Sequence, residues 1–327
     1  MAPAPDAPPG VFVPQKSNAQ ARQTQPSGPA PAFEISADLV NLFFIVRGPH
    51  GKLVPNLTRA DCAIYEDNIQ QTIQSFAAES NLPLTLGILL DTSLSQQRVL
   101  PMEQRAAAAF LHRILKPKDE AFLFSFDVDA TMLSDFTGSA HNLTRAIDAA
   151  HINSNSGNFA NGTLPSIGHP KGTVLYDAVY LAANDKLRQE TGRKALILLT
   201  DGEDEGSDQN LKSAIEAAQR ADAIVYVLLI RDSGPLGIAN DAGGGPMRKL
   251  TQATGGDVFK IGSNGRKMQA AFDQIESELR AQYEASYTPT NKARDGSYRR
   301  IRVECQRNGQ ALQVLARRGY YAESSGR

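Results

Sequence analysis

Short apolar runs of strand length alternate, between residues 82 and 283, with segments whose apolar residues recur at helical spacing. The strongest runs are Leu82–Leu90, Ala195–Leu199 and Ala223–Ile230. Each is too short to cross a membrane, which takes about 20 apolar residues in a helix. Runs of this length are typical of strands that are buried on both faces of a parallel sheet. The alternation therefore predicts an α/β fold with a doubly wound, mostly parallel sheet.

The two ends of the chain lack this alternation of strand-length and helical segments. Residues 1–32 hold eight of the 18 prolines and show no apolar periodicity, which predicts a disordered Pro/Ala-rich tail. Residues 33–80 and 284–323 carry short alternating strands, and Asn308-Gly309 is a strong hairpin signal. Neither segment is long enough to fold alone. We therefore predict that the two segments form one discontinuous β-sandwich domain, into which residues 82–283 are inserted.

The chain has only two cysteines, Cys62 and Cys305. This number excludes a disulfide-framework fold and any multi-cysteine zinc or iron–sulfur site. Strand alternation places both thiols on the apolar face of their strands, inside the predicted shared core. A disulfide is then one expectation, provided that the Cα atoms approach within about 7 Å. Two unpaired buried thiols are the alternative.

Charge and targeting signals limit the partners and the compartment. In 327 residues, 34 basic side chains face 35 acidic ones, so the net charge is −1. A general polyanion binder is clearly basic, so we expect no nucleic-acid partner. Residues 1–32 lack the basic start and apolar block of a signal peptide. A mature or trimmed exported chain would lack them too, so the compartment stays open on this ground.

Two acidic residues follow buried strands that we expect to be neighbours. Asp91 ends the first predicted strand of the sheet, and Asp201 ends the fourth. In the common doubly wound order these strands are adjacent, and ligands bind in the crevice at their carboxyl ends. Two carboxylates held close need a cation between them, or one of them takes a proton. The hydroxyls of Ser93 and Ser95 complete an all-oxygen set, which suits Mg²⁺, Mn²⁺ or Ca²⁺ and not zinc.

This pattern resembles the metal-ion-dependent adhesion site (MIDAS) of the von Willebrand factor type A (VWA) family. The family motif is Asp-x-Ser-x-Ser, then a loop Thr, then an Asp after the fourth strand. The matching positions here are Asp91, Ser93, Ser95, Thr173 and Asp201. The resemblance covers about residues 82–283. It departs from the usual motif at Leu94, where many relatives carry Gly, a position that supplies no ligand atom.

The flanking segments are similar to those of a bacterial VWFA-related subgroup, in which strands bracket the VWA domain. The compared segments here are Tyr65-Glu66-Asp67 and Arg318-Gly319-Tyr320. The resemblance implies a Rossmann-like VWA fold. The proline-rich tail and the flanking strands favour an exported protein that is secreted, periplasmic or displayed at the cell surface.

The resemblance also implies a division of roles at the site. Ser93, Ser95 and Thr173 would supply hydroxyl ligands, while Asp91 and Asp201 would act largely through bound waters. One position of an octahedral ion, most simply Mg²⁺, would stay open for an Asp or Glu carboxylate of a partner protein. The expected function is therefore a metal-dependent protein-binding module for adhesion or interaction, without enzymatic activity.

Two other function classes remain open from the sequence. Asp91-Thr92-Ser93 faintly resembles Mg²⁺-dependent haloacid-dehalogenase-type phosphohydrolases, which need an acid two residues after the nucleophile. Position 93 is serine, which argues against that chemistry. A cytoplasmic VWA subunit of an ATPase complex is the other alternative, and the proline-rich tail and flanking strands fit an exported module better.

Overall fold

The computed structural model describes residues 39–78, 82–152, 172–231 and 243–324. The predicted tail at residues 1–32 and nearly all of the predicted loop at residues 152–172 lie outside the described residues. In the described part of the chain, no helix is long and apolar enough to cross a membrane.

The described chain has short strands near both ends and alternating strands and helices between them, in the predicted order. The strands are β1 Val40–Arg47, β2 Cys62–Glu66, β3 Ile69–Gln71, β4 Ile73–Ala78, β5 Leu84–Asp91, β6 Glu120–Phe126, β7 Ala130–Thr137, β8 Arg193–Thr200, β9 Ala223–Leu229, β10 Val258–Lys260, β11 Tyr283–Tyr287, β12 Tyr298–Arg307, β13 Gln310–Ala311, β14 Gln313–Ala316 and β15 Gly319–Tyr321. The helices are α1 Leu100–Ile114, α2 Ala140–Ala149, α3 Leu175–Leu181, α4 Leu211–Arg220, α5 Gly244–Thr254 and α6 Gly265–Arg280, and α3 continues as a π-helix over Ala182–Leu187.

The central sheet has six strands in the order β10-β9-β8-β5-β6-β7. Five strands run parallel, and the edge strand β7 pairs antiparallel with β6. The order reverses at β5, whose neighbours are β6 and β8. The predicted fold class, a doubly wound and mostly parallel sheet, is confirmed.

Helices cover both faces of this sheet, which explains why its strands are continuously apolar. Residues Leu86, Ile88 and Leu90 of β5 face one apolar core, to which α1, α2 and α6 contribute. Leu89 faces the second core, which α3, α4 and α5 cover. The two cores together bury the central strands on both sides, so their carboxyl ends are the part of the sheet that reaches a surface crevice.

Two antiparallel sheets are built from the two ends of the described chain. One has the order β14-β1-β11-β4, and the other has the order β13-β12-β2-β3 with β15 also paired to β12. A third apolar core includes Phe44 and Ile64 from the first half of the chain and Tyr287 and Val303 from the second. Within this core Cys62 and Cys305 lie directly opposite each other on β2 and β12, with Cα atoms 4.1 Å apart and joined by a disulfide.

Tyr283 follows Leu279 at helical spacing, and this spacing predicts that Tyr283 ends the last helix. That prediction is wrong: α6 ends at Arg280, and Tyr283 begins β11. The Tyr283 hydroxyl donates to the carbonyl of Val54 (2.7 Å) and accepts from the backbone N–H of Leu57 (3.0 Å). An apolar residue four positions after another fits both a helix and a strand. The tertiary hydrogen bonds of Tyr283 therefore decide that it belongs to a strand.

Candidate metal centre

The site lies where the parallel strands β5 and β8 end side by side. Their register pairs Leu90 with Leu199, so Asp91 and Thr200 come next on the two strands. The Thr200 hydroxyl donates a hydrogen bond of 2.7 Å to Oδ2 of Asp91. Asp201 follows immediately on the chain. The predicted approach of the two strand ends is therefore present in the structure.

The residues after Asp91 turn back toward its carboxylate. Oδ1 of Asp91 accepts hydrogen bonds from the Ser93 backbone N–H (3.0 Å) and from the Ser93 hydroxyl (2.5 Å). The hydroxyls of Ser93 and Ser95 are 2.9 Å apart. The structure thus brings the Asp91, Ser93 and Ser95 oxygens of the predicted motif into one hydrogen-bonded group.

Two acidic side chains with little exposure to solvent lie at this site. Asp91 is fully buried and Asp201 is 9% exposed. Burial, and then the charge of Asp201, raise the pKa of Asp91 to about 7, although hydrogen bonds from Ser93 and Thr200 oppose that rise. A cation next to Asp91 would stabilise its charged form, which burial and the neighbouring charge disfavour.

Asp201 is held by the loop that follows it. Its Oδ1 atom accepts from the backbone N–H of Glu203 at 3.0 Å. Gly202, at φ +80°, has the left-handed conformation that favours glycine, and its N–H donates to the Thr200 hydroxyl at 3.0 Å. Thr200 therefore connects both acidic residues, because the same oxygen that donates to Asp91 accepts from the turn after Asp201.

Thr173 lies on the loop just before α3, half-buried. Its carbonyl accepts from the N–H groups of Glu205 (3.0 Å) and Gly206 (3.2 Å), in the segment after Asp201. The next residue, Val174, donates to the carbonyl of Asp127, next to the end of β6. Backbone hydrogen bonds thus connect the Thr173–Val174 segment to the loop after Asp201 and to the end of β6. That the Thr173 hydroxyl binds a metal ion stays a prediction.

An open cavity of about 520 Å³ adjoins the site. Ser95 and Asp201 both line it, and so do two basic side chains, Arg98 and Arg231. Arg231 forms an ion pair with Glu203 at the same cavity. Leu94, which is 59% exposed, also lines this cavity. A ligand that enters here meets hydroxyl and carboxylate oxygens, cationic side chains and an exposed apolar group.

The donor chemistry fits a hard divalent cation. The described residues contain no group of three or more His, Cys, Asp or Glu side chains arranged to hold a metal, so hydroxyls have to contribute. Asp91, Ser93, Ser95 and Asp201 offer oxygen atoms only, as Mg²⁺, Mn²⁺ and Ca²⁺ prefer.

Two residues at this site were absent from the sequence-based prediction. Thr200 directly precedes Asp201 in the sequence. Glu103, in the first turn of α1, is fully buried. A signal for Glu103 existed, since it lies four residues before Ala107 and seven before Phe110 on the buried face of α1. Met102, Ala106, Phe110 and Ile114 also recur at helical spacing and predict a buried face through Met102 and Ala106, but the structure leaves these two residues only partly buried.

Among known proteins, only solved structures show a similarity to this chain. No family model matches the sequence, and no curated protein matches it. A solved structure of von Willebrand factor type A from Catenulispora acidiphila is 13% identical, with 80% of this chain and 76% of that chain covered and a TM-score of 0.46. BatB from Bacteroides thetaiotaomicron is 18% identical, with 61% and 100% covered and a TM-score of 0.46.

A third match is proximal thread matrix protein 1 from the mussel byssus, in a structure with a zinc-occupied MIDAS motif. It is 14% identical, with 67% of this chain and 50% of that chain covered and a TM-score of 0.47. The matches thus include VWA domains, the family that the sequence motif resembles. The central sheet has the Rossmann-like arrangement expected of a VWA domain.

Proposed function

We propose that this protein is a metal-ion-dependent protein-binding module whose divalent cation accepts a carboxylate from a partner. The observation that carries the proposal is the hydrogen bond from Thr200 to Asp91, because it joins the two strand ends that bear the acidic residues. Asp91, Ser93, Ser95, Thr173 and Asp201 would hold the ion, and Mg²⁺ is the best fit to their oxygen atoms.

The surroundings of the site favour an acidic ligand. A cation bound by few anionic groups stays electrophilic and attracts a further carboxylate. Arg98 and Arg231 line the adjoining cavity, where Glu203 balances the charge of Arg231 and Arg98 adds positive charge. Exposed Leu94 would pack against an apolar residue next to the partner's Asp or Glu. The partner is therefore a protein that presents an acidic residue beside an apolar one.

The compartment we propose is extracytoplasmic. Disulfides persist in oxidising compartments and are rare in the reducing cytosol. The pairing of Cys62 with Cys305 across β2 and β12 fits an exported chain better than a cytoplasmic VWA subunit of an ATPase complex.

Metal binding is tested first, by calorimetric titration of Mg²⁺ and Mn²⁺ into the metal-stripped protein. We expect one ion per chain, and we expect Asp201→Asn to weaken binding about 10-fold or more. Asp208→Asn is the matched control, since Asp208 lies on the same acidic loop outside the ligand set. A wild-type chain that binds neither ion would overturn the proposal.

Partner chemistry is tested with a displayed peptide library, selected against the protein in Mg²⁺. We expect enriched peptides to share an Asp or Glu next to an apolar residue, and to lose binding in EDTA or after Glu→Gln substitution. Leu94→Ser should weaken peptide binding and leave the Mg²⁺ affinity unchanged. Peptides that bind equally well in EDTA would contradict the role of the cation.

We expect no phosphohydrolase activity. The position of the required general acid is Ser93, whose hydroxyl is committed to Asp91. Steady turnover of a generic phosphate ester in Mg²⁺, abolished by Asp91→Asn, would instead establish the enzyme alternative.

A further inference from the structure

Glu103 is the most unusual charged group near the candidate centre. Its side chain is 0% exposed. Neither carboxylate oxygen has a hydrogen-bond partner among the described residues. Buried carboxylates are normally paired or hydrogen-bonded, because their transfer from water is costly. A buried acid without a partner therefore requires an explanation.

The position of Glu103 links it to the candidate metal centre. Its backbone N–H donates to the carbonyl of Val99 at 3.1 Å, and Val99 lines the same cavity as Ser95 and Asp201. Burial, and then the charges of Asp91 and Asp201, raise the pKa of Glu103 well above its usual range. Glu103 thus lies one helical turn from a residue that lines the cavity, and the charges of both acidic residues of the motif reach it.

We propose that Glu103 is a third carboxylate of the cation site, which stabilises the bound ion through its charge. The proposal rests on the metal site described under Proposed function. It assigns a role to a residue outside the Asp-x-Ser-x-Ser motif, the loop Thr and the second Asp.

Glu103 acts on the ion at a distance and not as a direct ligand. Asp91, Asp201 and Glu103 do not form a group close enough to bind one ion directly, since no such cluster exists within the described residues. A charge in a low-dielectric surrounding still acts strongly over several ångströms, because little water screens it.

The test compares Glu103→Gln with the wild-type chain. Glutamine keeps the shape of the side chain and removes only its charge. We expect the dissociation constant for Mg²⁺ and Mn²⁺, measured by calorimetry, to rise about 10- to 100-fold. In EDTA we expect the thermal midpoint to be unchanged or raised, because neither oxygen of Glu103 makes a hydrogen bond that the substitution would break. Glu103→Leu is the second variant and should behave in the same way.

Glu216→Gln is the matched control. Glu216 lies on α4, where it pairs with Arg220, and it should change neither quantity. If the wild-type chain binds metal and Glu103→Gln binds it equally well, the role of Glu103 is overturned while the metal site stands. If Glu103→Gln weakens binding only together with a clear drop of the EDTA midpoint, Glu103 is a structural residue and the proposal also fails. A wild-type chain that binds no metal refutes the proposed function itself.

Discussion

The hydroxyl of Thr200 donates a 2.7 Å hydrogen bond to the buried carboxylate of Asp91, which lies 109 positions earlier in the chain. The same hydroxyl accepts from the N–H of Gly202, in the turn that carries Asp201. One side chain therefore fixes the relative position of two acidic residues on neighbouring strands.

Replacement of Thr200 tests this relationship. Thr200→Val keeps the shape of the side chain and removes both hydrogen bonds, so Asp91 loses an orienting donor. We expect the dissociation constant for Mg²⁺ to rise about 10-fold or more, as for other residues that orient metal ligands. Thr200→Ser retains the hydroxyl and should bind Mg²⁺ almost as the wild type does. Equal affinities of the Val and Ser variants would show that the hydroxyl does not position Asp91.

The Cys62–Cys305 pair is tested by its effect on stability. The bond closes a loop across a separation of 243 residues and links the two chain ends that share one core. Loss of such a cross-link typically costs about 2–5 kcal/mol of unfolding free energy. We expect Cys62→Ala/Cys305→Ala to lower the free energy of unfolding, measured with urea, by a similar amount relative to the oxidised wild type. Dithiothreitol should lower the urea midpoint of the wild type and leave that of the variant unchanged. Two titratable thiols in protein purified from an oxidising compartment would contradict the pairing.

Lys194 predicts a particular pH dependence of stability. Burial, and then the charge of Arg317, lower the pKa of Lys194 from its ordinary 10.5 to about 8. Between pH 8 and 10.5 the unfolded chain holds a proton that the folded chain has released, so this group adds stability as the pH rises. Below pH 8 that contribution is absent, because both states are protonated.

The measurement compares urea unfolding of the wild type and Lys194→Met at several pH values. Methionine carries no charge. We therefore expect the free energy of unfolding of the variant to exceed that of the wild type most near pH 7, and the difference to shrink progressively toward pH 10. The variant also loses the hydrogen bond from Nζ to the Glu190 carbonyl (2.9 Å). This loss lowers its free energy of unfolding by an amount that does not depend on pH. A difference between the two proteins that does not change with pH would rule out the shifted pKa.

Two glycines predict different responses to alanine. A Cβ atom at Gly87, in the middle of β5, would lie 2.4 Å from Cζ of Phe122 and 2.5 Å from Cδ2 of Leu196. Such overpacking in a tight core typically costs about 1–3 kcal/mol. At Gly245, in the first turn of α5, a Cβ would meet no described atom within 4 Å beyond its chain neighbours. There the helix propensity of alanine is offset by Pro246, which disfavours helical backbone in the residue before it, so we expect a change of less than about 1 kcal/mol. Thermal melts of the two single variants check both magnitudes, and a stable Gly87→Ala would indicate a looser sheet core.

Local patterns in the chain were sufficient for the fold class and for the strand ends that carry the acidic residues. A strand buried on both faces needs a continuous apolar run, so β5, β8 and β9 are visible as runs in the sequence. The adjacency of β5 and β8 follows from the common doubly wound order, so the approach of Asp91 toward the Asp201 turn was predictable as well.

Contacts between distant segments decided the rest, because spacing along the chain carries no information about them. Tyr283 has helical spacing from Leu279, yet its hydroxyl binds the Val54–Leu57 segment and the residue starts a strand. Glu103 shares the spacing of Ala107 and Phe110 on α1, but that spacing does not show which distant groups the helix face meets. Only the packing of α1 over the sheet buries it within reach of Asp91 and Asp201, where its charge has few water molecules to screen it.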